Sequence, residues 1–186
     1  KPCTTPGGTI SAAGASSAVN ASGHGDVRAY ALNQRSRALL EGVRCWPEGE
    51  GITPVLDMQV QEAGLPGVHF RAADQQAEAL AWIADVPVLE AKLAAAVRFQ
   101  PQIEVLEAPA PARLTVVCEG RDSASGRLFG VALQKTPYSQ CAIAARVRCE
   151  LPHNQAARQW FRPQDIAGFL PLGGPGGNSL AVVWSV

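Results

Sequence analysis

From Cys141 to the end, the chain reads as one strand after another. Cys141-Ala-Ile-Ala-Ala-Arg-Val-Arg-Cys-Glu150 alternates and then stops at Leu151-Pro-His153. Three further apolar runs follow: Ala157-Arg-Gln-Trp-Phe-Arg162, Ile166-Ala-Gly-Phe-Leu-Pro-Leu172 and Asn178-Ser-Leu-Ala-Val-Val-Trp-Ser185. Short strand-like runs broken by Gly and Pro predict an antiparallel sheet laid down in chain order. The turn Gly173-Gly-Pro-Gly-Gly177 predicts that Ile166–Leu172 and Leu180–Trp184 are paired neighbours.

Such a sheet needs a core, and a hydrophobic content of 47% in 186 residues provides for one domain, or for one lobe with pieces of a second. Lys and Arg number 16 and Asp and Glu 16, so no net field draws nucleic acid or an anionic membrane. The longest apolar stretch, about Leu80 to Val97, is interrupted by Asp85, Glu90 and Lys92 and does not suit a membrane span. The opening Lys1-Pro-Cys-Thr-Thr-Pro6 lacks the apolar centre of a signal peptide. The expectation is a soluble, cytoplasmic protein. Its five cysteines (Cys3, Cys45, Cys118, Cys141, Cys149) form no C-x-x-C, and its three histidines make no ligand pattern with them, so no metal is expected. Cys118, Cys141 and Cys149 sit in apolar runs and are expected to act as small buried hydrophobes.

Upstream, residues 1–25 are rich in Gly, Ser, Ala and Thr and predict a flexible tail or loop. Asn33 to Val43 has helical spacing with Asn33 as N-cap. Thr53 to Gln61 predicts a strand, Gly64-Leu-Pro-Gly67 a turn, and Val68 to Arg71 its hairpin partner. Ala81–Ala84 is a short strand, Pro87 suits the first turn of a helix running to about Phe99, and Ile103–Leu106 is a further strand. Arg113–Cys118 predicts a buried strand of the parallel-sheet kind, followed by a turn from Glu119 to Gly126. There is no internal repeat. Residues 26–186 are therefore expected as one α+β unit built on a mixed, largely antiparallel sheet with flanking helices.

The order Glu150-Leu-Pro-His153, Ala157-Arg-Gln-Trp-Phe161, Leu170-Pro-Leu172 and Val183-Trp-Ser185 resembles the middle region of the FAD-dependent aromatic hydroxylases of ubiquinone biosynthesis. The resemblance covers about Asp26 to Val186. It implies the substrate-domain layer of a p-hydroxybenzoate-hydroxylase-like fold (52–75 and 135–186) beside a partial FAD-binding layer (26–50 and 80–130). Asp26-Val-Arg28-Ala-Tyr-Ala-Leu32 matches a segment whose arginine approaches the flavin. Val117-Cys-Glu-Gly-Arg-Asp-Ser123 occupies the slot of a motif whose acid binds the ribityl hydroxyls. Arg28, Glu119, Gly120 and Ser123 are thereby implied as cofactor-binding residues, with FAD as cofactor and NAD(P)H as reductant in the parent enzyme. The implied partner is an aromatic small molecule, which if lipophilic would bring the protein to a membrane surface without spanning it. No residue is singled out as a catalytic acid or base.

Several features depart from that family. Glu119 replaces its Asp, Pro87 stands where it carries an arginine, and no G-x-G-x-x-G or later G-D-x-x-H segment is present. Without the helix N-terminal amides that the glycine motif supplies, this chain is expected to bind no flavin and to be inactive by itself. The competing readings are a stand-alone small-molecule-binding module and an assembly module that has lost the dinucleotide fold. His153, Trp160, Phe161, Phe169 and Trp184 are read as core residues, with one or two of them lining a pocket.

Overall fold

A computed structural model describes residues 26–108, 110–120, 123–132, 134, 136–137 and 139–186. The proposed tail over residues 1–25, with Cys3, lies outside them. The described residues form two compact units, 26–96 with 139–186, and 97–137. The fold is α+β, with mixed and largely antiparallel sheets and few helices.

The first unit holds two sheets. In the smaller, β5 (Ala81–Asp85) is central, flanked antiparallel by β1 (Ala29–Leu32) and β2 (Ile52–Val55). Because β5 is paired on both sides, its Trp82-Ile-Ala84 centre is buried, whereas Pro54, which cannot donate to a ladder, sits on the edge strand β2. The larger sheet runs β4–β3–β7–β8–β9–β6, where β3 is Asp57–Glu62, β4 Val68–Arg71, β6 Ala142–Arg148, β7 Ala156–Phe161, β8 Ile166–Leu172 and β9 Ser179–Ser185. β8 and β9 pair over their full length, Ile166 opposite Ser185 and Leu172 opposite Ser179, as the Gly-rich turn predicts. Pro171 falls beyond the last β7–β8 pair, Arg158 with Phe169, so its missing N–H costs that ladder nothing.

Two helices belong to this unit. α1 (Gln34–Gly42) starts where Asn33 accepts a hydrogen bond from the Ser36 amide, and Arg37 lies 4.6 Å over the Trp82 ring, tying α1 to β5. α2 (Val86–Arg98) buries Val86 and Leu89. The core lies where the small sheet meets one end of the large one: Val55, Ile83, Ala157, Leu172 and Ala181.

Four local expectations change. The run Thr53–Gln61 is two strands in two sheets, because at Leu56 the chain turns to bond the 155 loop: the Leu56 amide donates to the Gln155 carbonyl. The strands after Cys141 are not paired in chain order, since β6 lies beside β9 rather than β7, while the expected mixed character comes from β3, parallel to β7. Ile103–Leu106 and Arg113–Cys118 are not strands, and no described strand pairs with either. An apolar run becomes a strand only when a neighbour completes its hydrogen bonds. Lastly, the segment after Glu119 leads into a helix, α3 (Ala124–Leu128), capped by Ser123.

Cys118 and Cys141 are exposed and Cys149 half-buried; only Cys45 among the described cysteines is buried. For Cys118 the cause is the unpaired run, and for Cys141 its place just outside the edge strand β6. Trp160, Phe161, Phe169 and Trp184 are not core either. Trp160 and Phe169 stack edge-on at 5.0 Å, half-buried with Phe161, and Trp184 is 42% exposed, because the core fills only the opposite end of the sheet. No helix among the described residues is long and apolar enough to cross a membrane. No group of three or more His, Cys, Asp or Glu among them could hold a metal.

Candidate functional site

Two clefts in the first unit flank a tight crossing of the chain. The 3-10 turn Gly49–Gly51 passes so close to the end of β8 that a Cβ on Gly173 would sit 2.1 Å from the Glu50 carbonyl oxygen. Only glycine fits there. On one side a cleft of about 410 Å3 is bounded by Ile52, Thr53, Pro54, Pro152, His153 and Gly174. His153 is buried in its wall, and both ring nitrogens are committed. Nδ1 accepts from the Gln155 amide at 3.0 Å, so Nε2 carries the proton and donates to the Leu172 carbonyl at 2.9 Å. The arrangement fixes the loop before β7 against the end of β8, and it leaves His153 nothing to offer a ligand. Asn154 and Gln155 complete that loop in left-handed conformations.

On the other side a cleft of about 430 Å3 is bounded by Glu50, Asp85, Val88, Arg146, Arg148 and Ser179. Arg146 reaches from β6 to the end of β5, where its two Nη atoms donate to the two Asp85 carboxylate oxygens at 2.7 and 2.8 Å. The same guanidinium lies 3.4 Å from the carbonyl oxygens of Asp26, Val27 and Arg28. Asp85 accordingly holds the Arg146 guanidinium above its ordinary pKa.

Arg28 enters β1 with its guanidinium clasped by Asp26 through Nε and Nη2, and with Glu90 and the Tyr30 hydroxyl nearby at 3.4 and 3.3 Å. These hydrogen bonds hold the Asp26 carboxyl below the usual carboxylate range and raise Arg28 in turn.

Glu119, Gly120 and Ser123 come together in the other unit as a helix cap. Glu119 accepts from the Ser123 hydroxyl at 2.9 Å and from the Ser125 amide and hydroxyl, which depress its pKa, with Ser125 the larger cause. Ser123 Oγ in turn accepts from the Gly126 amide at 2.8 Å. Gly120 has φ +74°, a turn that favours glycine, with open space where a Cβ would be.

Arg28, Glu119 and Ser123 do not fit a flavin as they stand, because their hydrogen bonds serve their own loops, whereas Gly120 leaves open space. Sequence reasoning missed Arg146, Asp85, Arg148 and Glu50. The available signal was the Arg146-Val-Arg148 alternation, which puts two cations on one face of a strand.

No protein-family model matches the chain. Its fold is similar to crystal structures of PqsL from Pseudomonas aeruginosa, described there as a probable FAD-dependent monooxygenase. The complex of PqsL with 2-aminobenzoylacetate superposes at TM-score 0.67 and 15% identity, over 95% of this chain and 53% of that one. A PqsL mutant gives TM-score 0.67 at 16% identity, over 87% and 51%. A further PqsL structure gives 0.62 at 16%, again over 87% and 51%. The chain thus spans about half the length of the structures it matches, and at these identities the likeness is one of fold.

Proposed function

We propose that this chain is the substrate-sheet portion of an FAD-dependent monooxygenase that hydroxylates an aromatic ring, of the ubiquinone-biosynthesis type. The observation that carries the reading is the fold itself, similar to PqsL, described as a probable FAD-dependent monooxygenase, over nearly the whole chain and about half of that protein. The strand motifs from Glu150 to Ser185 support it independently. PqsL holds 2-aminobenzoylacetate in one of those structures, which makes an aromatic small molecule the natural substrate class.

In this reading 52–75 and 135–186 form the substrate layer, and 26–50 and 80–130 belong to the cofactor layer of a longer cytoplasmic protein that uses FAD and NAD(P)H. Arg28, Glu119, Gly120 and Ser123 remain the candidate cofactor residues of that protein only if Arg28, Glu119 and Ser123 give up their present partners. What this chain does by itself is hold and orient substrate. Its six-stranded sheet forms a rigid floor, and the His153 and Arg146–Asp85 contacts fix the walls.

Reading the gene beyond both ends tests this. An in-frame G-x-G-x-x-G upstream and a G-D segment downstream are expected. Stop codons on both sides would instead establish the stand-alone binding module, a reading favoured by the self-satisfied helix cap at Glu119 and ion pair at Arg28.

A further inference from the structure

We infer that the cleft beside Arg146 recognises a small amphoteric molecule, its carboxylate held by Arg148 and its amino or hydroxyl group by Glu50. Four charged residues line this cleft, Glu50, Asp85, Arg146 and Arg148. Two of them are spent on each other: Asp85 and Arg146 share a two-point ion pair, and the remaining Arg146 donors face backbone carbonyls.

The other two are not spent. Among the described residues neither Arg148 nor Glu50 has an ion-pair partner, although both border the same cleft. Among the described residues, one cleft therefore carries a cationic and an anionic residue that have no ion-pair partner and do not bond each other. A ligand carrying both kinds of group satisfies both, and a guanidinium matches a carboxylate at two points.

The register supports the placement. Arg148 pairs directly with Ser179 across β6 and β9, so the two side chains share one face of the sheet, and both residues line the cleft. Val88 and Leu172 supply apolar wall between the charges. The volume, about 430 Å3, is within the range of small-molecule sites. The inference rests on the proposed function only for the ring of the ligand; the two charges are read from the cleft alone.

Calorimetric titration of the purified chain with 4-aminobenzoate, benzoate, aniline and 4-aminobutyrate tests it. 4-Aminobenzoate is expected to bind most tightly, benzoate less so and aniline least. Arg148→Met should weaken each of the three carboxylate probes about tenfold, the worth of one charge-assisted contact. Glu50→Ala should bring 4-aminobenzoate down to the benzoate level and leave benzoate unchanged. Both side chains are exposed, so melting curves should not move. Undiminished carboxylate binding in Arg148→Met, or no binding of any probe, overturns the inference. If 4-aminobutyrate binds as well as 4-aminobenzoate with the same dependence on Arg148 and Glu50, the site stands and the aromatic reading of the function fails.

Discussion

Residues 139–186 and 97–137 both carry long apolar runs, yet they end in opposite states. The first contributes four strands to a six-stranded sheet whose Leu172, Leu180 and Ala181 are buried. The second, past the end of α2, holds among its described residues only the five-residue helix α3, with Leu114 77% and Val116 70% exposed. The difference lies in partners. β6, β7, β8 and β9 complete one another's ladders within the chain, while Arg113–Cys118 has no described strand beside it. Hydrophobicity nominates a strand, and pairing makes it one.

The comparison can be broken most forcefully in the core. Ile83, 1% exposed, is the packing centre where the two sheets meet, and Ile83→Ala should lower stability by about 2–5 kcal/mol in urea unfolding. Gly173→Ala comes next at about 1–3 kcal/mol, because the obstructing atom is the Glu50 backbone oxygen, which has no rotamer to escape into. A melting curve unchanged by Gly173→Ala would show that the crossing is looser than described.

His153→Ala should cost about 1–3 kcal/mol, since it leaves the Gln155 amide and the Leu172 carbonyl without partners in a buried wall. In the other region the same kind of truncation should barely register. Leu114→Ala and Val116→Ala are expected within about 0.5 kcal/mol, and a loss comparable to that of Ile83→Ala would mean that this run is packed after all.

The smallest effect is with pH. Asp26 and Glu119 are held below their ordinary range, so each stabilises its loop above that range and loses this as pH falls through the lowered value. Amide protection around residues 26–28 and 123–126, corrected for the intrinsic pH dependence of exchange, should therefore stay level at neutral pH and fall only below about pH 4.

Much of the first unit was legible because its signals are local. Asn33 caps a helix, Pro87 falls in the first turn of one, and the Gly173–Gly177 turn sets the β8–β9 pair. What was not legible depends on distant residues. Nothing near Leu56 announces that the chain changes sheet there, since the cause is a hydrogen bond to Gln155. The Arg146–Asp85 pair joins residues 61 positions apart, which no motif encodes. Arg28, Glu119, Gly120 and Ser123 followed from resemblance, and their present roles as ion pair and helix cap arise from immediate neighbours that a motif match passes over.

The central claim is that this chain supplies the sheet for a substrate while the grip on flavin lies in a longer protein. Flavin content, measured side by side on the 186-residue chain and on the complete gene product, tests it most directly. The account predicts a colourless chain and a yellow complete protein with stoichiometric FAD, whose NAD(P)H oxidation is stimulated by an aromatic substrate. A complete protein without flavin, or a yellow 186-residue chain, would contradict it.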